Sequence, residues 1–233
     1  MRAVFKREFK SYFCTPVGYI VLAALYFFLG LYFSMIYSYG APNIEVVIVS
    51  MSTVVIFVMP VITMRLMSED RRQKVDQALL TAPVSLTSIV LGKFFAALAV
   101  FALGFLPTVI FEIIILSHVS VNILSYLYAL LGILLLGSAL IAIGMFISST
   151  TESSVVSAII TLIVNILVLY MSNFASMVSK EWIAKIFEKA AFISAFESFA
   201  ESIFSIPNII YFLSITAAFL FLCVRSLEKR RWS

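Results

Sequence analysis

Few side chains in this sequence are of the types that carry out catalysis. The 233 residues include one histidine, His118, so a histidine-based triad and a metal site built on several histidines are excluded. Gly92 and Lys93 resemble the end of a phosphate-binding loop, but Thr87 stands where that loop needs its first glycine and Phe94 where it needs a serine or threonine. The sequence therefore predicts no nucleotide site, no cofactor, no metal site and no catalytic residue in this chain.

Two polar residues lie inside long apolar runs and are candidates for a transport pathway or a helix interface. Glu112 is the only acidic residue well inside such a run, and intramembrane carboxylates can mark proton relays. It lies about five residues from the end of its run, so we expect the side chain to reach headgroups or water, or to line a cavity. Asn165 is expected to hydrogen-bond across a helix interface as part of ordinary packing.

Charged side chains are concentrated in residues 65–88, between two apolar runs. The first twelve of these residues hold seven charges: Arg65, Glu69, Asp70, Arg71, Arg72, Lys74 and Asp76. Moving them into lipid would cost on the order of 20 kcal/mol, at roughly 2.5–3.5 kcal/mol per charge. The segment must therefore lie in water. Its second half turns apolar at helical spacing, at Val75, Ala78, Leu79 and Leu80, which predicts a short amphipathic helix suited to docking a soluble partner.

The composition is typical of a protein embedded in a bilayer. Apolar residues make up 63% of the chain and charged residues 12%, compared with about 45–50% and about 25% in soluble domains. The net charge of +4 does not indicate nucleic-acid binding, because the basic residues flank the apolar runs, as the positive-inside rule predicts. The two cysteines, Cys14 and Cys223, are expected to be small apolar fillers and not a disulfide.

The order of apolar and charged stretches predicts an all-α, multi-pass membrane protein forming one domain over residues 1–233. Residues 1–16 carry an aromatic face and a basic face, which predicts an amphipathic helix in the plane of the membrane. Residues 178–207 alternate charged and apolar side chains and predict one or two amphipathic helices at an interface. A bend is expected in the third span, at Gly104 or Pro107. Six transmembrane helices are predicted at 17–39, 46–64, 89–117, 124–147, 154–177 and 208–224.

The distribution of basic residues predicts the orientation. With six spans and the N-terminus in the cytoplasm, thirteen of the 16 Lys and Arg residues fall in cytoplasmic segments. The other side receives Lys180, Lys185 and Lys189. We therefore expect both termini and residues 65–88 to face the cytoplasm.

Several stretches resemble one family of membrane proteins. The acidic-basic cluster at 69–73, the LLTAPVS run at 79–85 and the LGK triplet at 91–93 resemble the cytoplasmic loop of ABC-2 type transporter permeases, with the closest similarity to the gliding-motility and nitrous-oxide-cluster groups. Residues 144–151 are similar to the junction of the fourth and fifth spans in that family. The resemblance covers essentially the whole chain. This chain departs from the family pattern just before Leu79 and Leu80. The family has a Gly-Thr pair and a Glu there, whereas this chain has Lys74, Val75 and Gln77.

The resemblance implies that the chain is the membrane subunit of an ATP-driven exporter in a prokaryotic cell membrane. Two such subunits, identical or paralogous, would form the translocation path, and separate cytoplasmic ATPase subunits would bind ATP and Mg. Residues 1–16 would be an elbow helix, and residues 178–207 an outer re-entrant hairpin. Residues 69–82 would be a coupling helix seated on the ATPase. The residues expected to make or bound that contact are Glu69, Asp70, Arg71, Arg72, Leu79, Leu80 and Pro83.

Two other functions compete with this interpretation. An ion-coupled secondary transporter would need ionisable residues near mid-membrane, and Glu112 is the one candidate that the sequence offers. An intramembrane enzyme would need paired His, Asp or Glu residues within the spans, and the sequence has no such constellation. A neighbouring reading frame with a phosphate-binding loop would favour the exporter.

Overall fold

The computed structural model of the chain is helical in the part that it describes, which comprises residues 1–40, 43–72, 85–118, 122–171, 191–201, 203 and 205–231. No strand occurs in these ranges, so the prediction of an all-α fold is confirmed. The helices, numbered in chain order, are α1 (Arg2–Cys14), α2 (Pro16–Ser38), α3 (Ile44–Thr63), α4 (Ser68–Arg72), α5 (Leu86–Gly104), α6 (Leu106–Leu116), α7 (Ile123–Thr150), α8 (Ser154–Leu169), α9 (Phe192–Ala200) and α10 (Ile206–Arg231).

Five stretches of the described chain are long and apolar enough to cross a membrane: Pro16–Ser38, Ile44–Arg72, Leu86–Leu116, Ile123–Thr150 and Ile206–Lys229. They match five of the six predicted spans. The remaining predicted span, 154–177, contains α8. This helix has 16 residues, whereas a membrane crossing needs about 20. Residues 172–177 lie outside the described ranges.

The predicted bend in the third span is present as a break between two helices. Helix α5 ends at Gly104, Phe105 leaves the helical conformation, and α6 begins at Leu106 with Pro107 in its first turn. Proline suits the first turn because its missing N–H would have had no partner there and its φ is already helical. The prediction of a bend at Gly104 or Pro107 is therefore confirmed.

The two ends of the chain are helical. Residues 2–14 form the predicted N-terminal helix, Thr15 is extended, and Pro16 begins α2. The last helix extends well past the predicted end of its span at 224, because its basic tail continues the helix to Arg231. Arg225 contributes to that extension by pairing with Glu228 at 2.7 Å, one turn away.

Helix α7 lies at the centre of the bundle. It contacts α3, α5, α8, α9 and α10, and most of its side chains are buried along its whole length. Helix α9 packs against it through buried aromatic side chains that include Phe196 and Phe199. Part of the predicted amphipathic segment 178–207 is thus a helix, whereas residues 178–190 lie outside the described ranges.

The described ion pairs between different helices gather at one end of the bundle, which we call the charged end. Helices α1 and α4, the start of α5 and the junction of α7 and α8 meet there. The C-terminal part of α10 reaches the same end, since Glu228 and Thr87 line one groove. The opposite end holds the start of α3, the end of α6 and the start of α7.

Candidate functional site at the charged end

Lys93 is a buried lysine at the centre of a set of charges that joins three helices. Its side chain, on α5, is 1% exposed. The Nζ atom lies 3.0 Å from Oε1 of Glu8 on α1 and 2.8 Å from Oδ2 of Asp70 on α4. Arg7 adds a second cation, 2.5 Å from Glu8 and 3.7 Å from Asp70. We call Arg7, Glu8, Asp70 and Lys93 the charged cluster; it balances two positive and two negative charges.

The two carboxylates of the cluster keep Arg7 in its charged form. Burial acts to lower the pKa of Arg7, but the hydrogen bond and charge of Glu8 and the charge of Asp70 outweigh burial and raise the pKa above its usual value. Next to the cluster, burial also raises the pKa of Tyr12, so its hydroxyl stays protonated and able to donate. Arg7 therefore stays charged and Tyr12 neutral through the physiological pH range.

Close contact between α1 and α5 depends on Gly92. A Cβ atom at this position would lie 2.9 Å from Cβ of Val4 and 3.2 Å from the carbonyl oxygen of Met1. Both distances are shorter than ordinary packing allows, so only glycine lets the two backbones approach this closely. The Gly92–Lys93 pair thus brings α1 near α5 and then provides the cation that holds it there.

Tyr12 attaches α1 to a second span. Its hydroxyl donates a hydrogen bond of 2.8 Å to the carbonyl oxygen of Ile62. In a continuing helix that carbonyl would accept from Leu66, but the Leu66 N–H donates to Thr63 instead, because α3 ends there. The tyrosine therefore satisfies a carbonyl that the helix end leaves unpaired.

The turn between α3 and α4 is held against α7 by Ser148. Its Oγ accepts hydrogen bonds from the backbone N–H groups of Met67 and Ser68, both at 3.1 Å, and donates to the carbonyl oxygen of Met64 at 3.1 Å. The Oγ of Ser68 lies 3.1 Å from that of Ser154, at the start of α8. The start of the segment predicted to contact a partner is thus fixed to the junction of α7 and α8.

Three of the four charged residues predicted to contact a partner make ion pairs within the chain. Asp70 belongs to the charged cluster, and Glu69 binds Arg65 through two hydrogen bonds of 2.6 and 2.7 Å. Arg71 donates to the carbonyl oxygen of Thr150 at 3.1 Å and pairs with Glu152 at 2.8 Å. Arg72 is exposed at the end of α4. The other predicted contact residues, Leu79, Leu80 and Pro83, lie outside the described ranges, as do Lys74, Val75 and Gln77.

Glu112, predicted to reach headgroups or water or to line a cavity, is buried in this structure. Its side chain on α6 is 4% exposed, and neither carboxylate oxygen has a hydrogen-bond partner among the described residues. The α6 helix packs against α2, α3 and α5, and the carboxyl group is buried within the bundle. An interfacial or cavity-lining role for Glu112 stays a prediction, because the distance from the end of a span does not show which face of the helix is covered.

The predicted hydrogen bond of Asn165 is not made to any of the described residues. It is fully buried on α8, and its amide has no partner among the described residues. Thr161 and Ser157 lie one and two turns before it, and they too are buried, with side-chain oxygens that have no partner among the described residues. Together these residues form a polar stripe on the face of α8 that packs against α3 and α7.

Sequence reasoning missed Glu8 and Lys93 as site residues. Two signals were present: Glu8 is the only acidic residue among residues 1–16, and Lys93 is the only basic residue in the third apolar run. A lysine in an apolar run needs a carboxylate partner. The sequence does not show which carboxylate fills that role, because the pairing joins residues far apart in the chain. In the described ranges, no group of three His, Cys, Asp or Glu side chains is placed to hold a metal ion.

Comparison with known proteins identifies the family. A search of curated proteins found no match. A family model, ABC-2 type transporter, matches residues 1–206, which includes the charged cluster, α4 and every helix up to the start of α10. The matched region covers most of the chain and agrees with the apolar helices described above. The chain therefore belongs to the ABC-2 type transporter family and is a multi-pass membrane protein.

Proposed function

We propose that this chain is the membrane-spanning permease subunit of an ATP-binding-cassette exporter, driven by a separate ATPase subunit. The observation that carries the proposal is the attachment of α4 to α5, α7 and α8 at the charged end, in a chain of this family. Asp70 links α4 to α5 through Lys93, and Ser148 and Arg71 link it to the end of α7. A short helix held at several points acts as a lever, because it cannot move without moving the spans.

In this mechanism the ATPase seats the segment 69–82 on its surface and moves it as ATP binds and is hydrolysed. The displacement passes through α4 to α5, α7 and α8, and changes how the spans pack. Helix α1 would move with α5, since Gly92 and the charged cluster hold the two together. This chain contributes no catalytic group to hydrolysis; ATP and Mg would be bound by the ATPase.

The proposal includes an assembly and an orientation. Two permease subunits, identical or paralogous, would form the path, with the charged end and both termini in the cytoplasm of a prokaryotic cell. The basic residues of α1, α4 and α10 support this orientation because positive charge is retained on the cytoplasmic side. Membrane lipid would surround the exposed apolar faces of α2 and α8, which include Phe27 and Ile159.

An ion-coupled transporter remains the second candidate, because Glu112 is a buried carboxyl group in a predicted span. The two candidates differ in their energy source. An ATP-driven exporter requires an ATPase partner that this chain stimulates, whereas an ion-coupled transporter works without one.

Reversing the charge of Arg72 is expected to lower partner-stimulated ATP hydrolysis by roughly tenfold or more, as removal of an interfacial charge contact does. The variant is Arg72→Glu, reconstituted in vesicles with the ATPase that co-purifies with the intact chain. Arg72 is preferred to Arg71 because Arg71 also holds Thr150 and Glu152, so its replacement would loosen α4 itself.

The matched control is Lys229→Glu, which makes the same charge change at an exposed position on α10. It should hydrolyse ATP at the wild-type rate. Membrane insertion should be unchanged in both variants, as measured by extraction and chromatography. Full stimulation by the Arg72→Glu variant would refute the assignment of this segment as the contact with the ATPase.

A further inference from the structure

Glu112 is the one carboxyl group of the described chain that is both buried and without a hydrogen-bond partner. It lies on α6 near the opposite end of the bundle from the charged cluster. The stacked rings of Phe33 and Phe111, with centroids 4.3 Å apart, join α2 to α6 immediately beside it. The proposed coupling mechanism does not use it, so its presence there needs a separate explanation.

Within the described ranges, the titratable groups near Glu112 include a second acidic residue and a tyrosine, but no cation. Thr108 lies one turn earlier on α6, and its hydroxyl donates to the carbonyl oxygen of Phe105 and lies 3.1 Å from the hydroxyl of Tyr126 on α7. Of the titratable groups, Tyr126 and Glu45 on α3 are close enough to interact with Glu112. Glu45 is half-buried in the first turn of α3.

The other helices packed against α6 offer no compensating charge. Helix α2 contains no Asp, Glu, Lys or Arg. The single charged residue of α5 is Lys93, which is engaged with Glu8 and Asp70 at the charged end. An ionised carboxylate at this position would be removed from water, without a cation partner among the described residues, and close to a second acidic residue. Each of these conditions disfavours the ionised form.

We propose that Glu112 is a proton-binding site: its carboxyl group is protonated in this conformation and releases the proton only when α6 moves and admits water. The break at Phe105 gives α6 freedom to move apart from α5. Since the proton is bound only in the packed conformation, low pH favours that conformation and high pH favours the one that exposes the carboxylate. The inference concerns the carboxyl group itself and does not depend on whether an ATPase drives the chain.

The proposal is tested by chemical labelling of the full chain in lipid vesicles with dicyclohexylcarbodiimide. This reagent adds to protonated carboxyl groups in apolar surroundings, and the adduct is located by peptide mass spectrometry. At pH 7 a solvated glutamate is less than about 1% protonated, so we expect Glu112 to be labelled roughly tenfold or more above Glu45. Labelling should fall as the pH is raised, and the Glu112→Gln variant should lose it.

A second measurement covers the case in which the reagent fails to reach the site. The infrared carbonyl band of a protonated carboxyl group should be present in the wild type and the Glu45→Gln variant, and absent in Glu112→Gln. Loss of that band in Glu112→Gln supports the proposal even without labelling. Identical carbonyl bands in the wild type and Glu112→Gln, or labelling of Glu112 that rises with pH, would overturn it. Neither readout requires ATP hydrolysis, so failure here is separate from failure of the proposed function.

Discussion

Replacing Lys93 by methionine is expected to lower the free energy of unfolding by about 3 kcal/mol and to abolish coupled ATP hydrolysis. Removing one partner of a buried ion pair costs about 3–5 kcal/mol, because it leaves a buried charge uncompensated. The lower value applies because Arg7 remains beside Glu8, and because the side chains of Glu8 and Asp70 are 13% and 20% exposed. Methionine fills a similar volume, so the loss measures the charge and not a cavity. Unfolding is followed by circular dichroism in detergent micelles.

Two further variants separate charge pairing from other effects. Lys6→Met removes an exposed lysine from α1 and should change stability by less than about 0.5 kcal/mol. Adding Glu8→Gln and Asp70→Asn to Lys93→Met should recover at least part of the lost stability, because no buried charge is then left unpaired. If Lys93→Met proved as stable as Lys6→Met, the charged cluster would not be what joins α1 and α4 to α5.

Replacing Gly92 by leucine is expected to separate α1 from α5. The new Cβ would lie 2.9 Å from Val4, so α1 has to move away and the contact between Glu8 and Lys93 is lost with it. Such overpacking costs about 2 kcal/mol, which corresponds to a roughly thirtyfold increase in the population with α1 undocked. Trypsin cleavage after Lys6 and Lys10 measures that population in the folded protein.

Gly30 provides the matched control for this substitution. It lies within α2, and a Cβ at this position would meet nothing within 4 Å. Gly30→Leu therefore makes the same change of residue in a helix without a clash, and the cleavage rate of α1 should stay at the wild-type value. Equal cleavage rates in Gly92→Leu and Gly30→Leu would show that α1 does not depend on Gly92 for its position.

Most of the architecture follows from the sequence because one physical constraint dominates it. Long apolar runs have to satisfy their backbone polar groups within a helix, so run length and charge predict the spans. The break at Phe105 follows from Gly104 and Pro107, whose backbone effects are local. Helix α10 continues beyond the predicted end of its span at 224, through Glu228 and Lys229, because hydropathy marks the end of a span and not the end of a helix.

The site was predicted less completely because it depends on contacts between distant residues. The charges at 69–72 were identified as functional, but their pairing within the chain was not, since Asp70 meets Lys93 and Arg71 meets Thr150 only in the folded bundle. The same limit explains Glu112 and Asn165. Their place in a span is evident from the sequence, whereas their burial depends on which helices cover them.

Site-specific photocrosslinking tests the central claim, that an ATPase docks at the charged end, most directly. Arg72 is replaced by the photoreactive amino acid p-benzoylphenylalanine in the intact chain, and Tyr39 is replaced in a parallel sample. Tyr39 is 82% exposed at the opposite end of α2 from Pro16. We predict that irradiation of native membranes links position 72, but not position 39, to a protein that carries a phosphate-binding loop, with a yield that changes when ATP is added. If position 72 captured no ATPase, or if both positions captured it equally, the account would be contradicted.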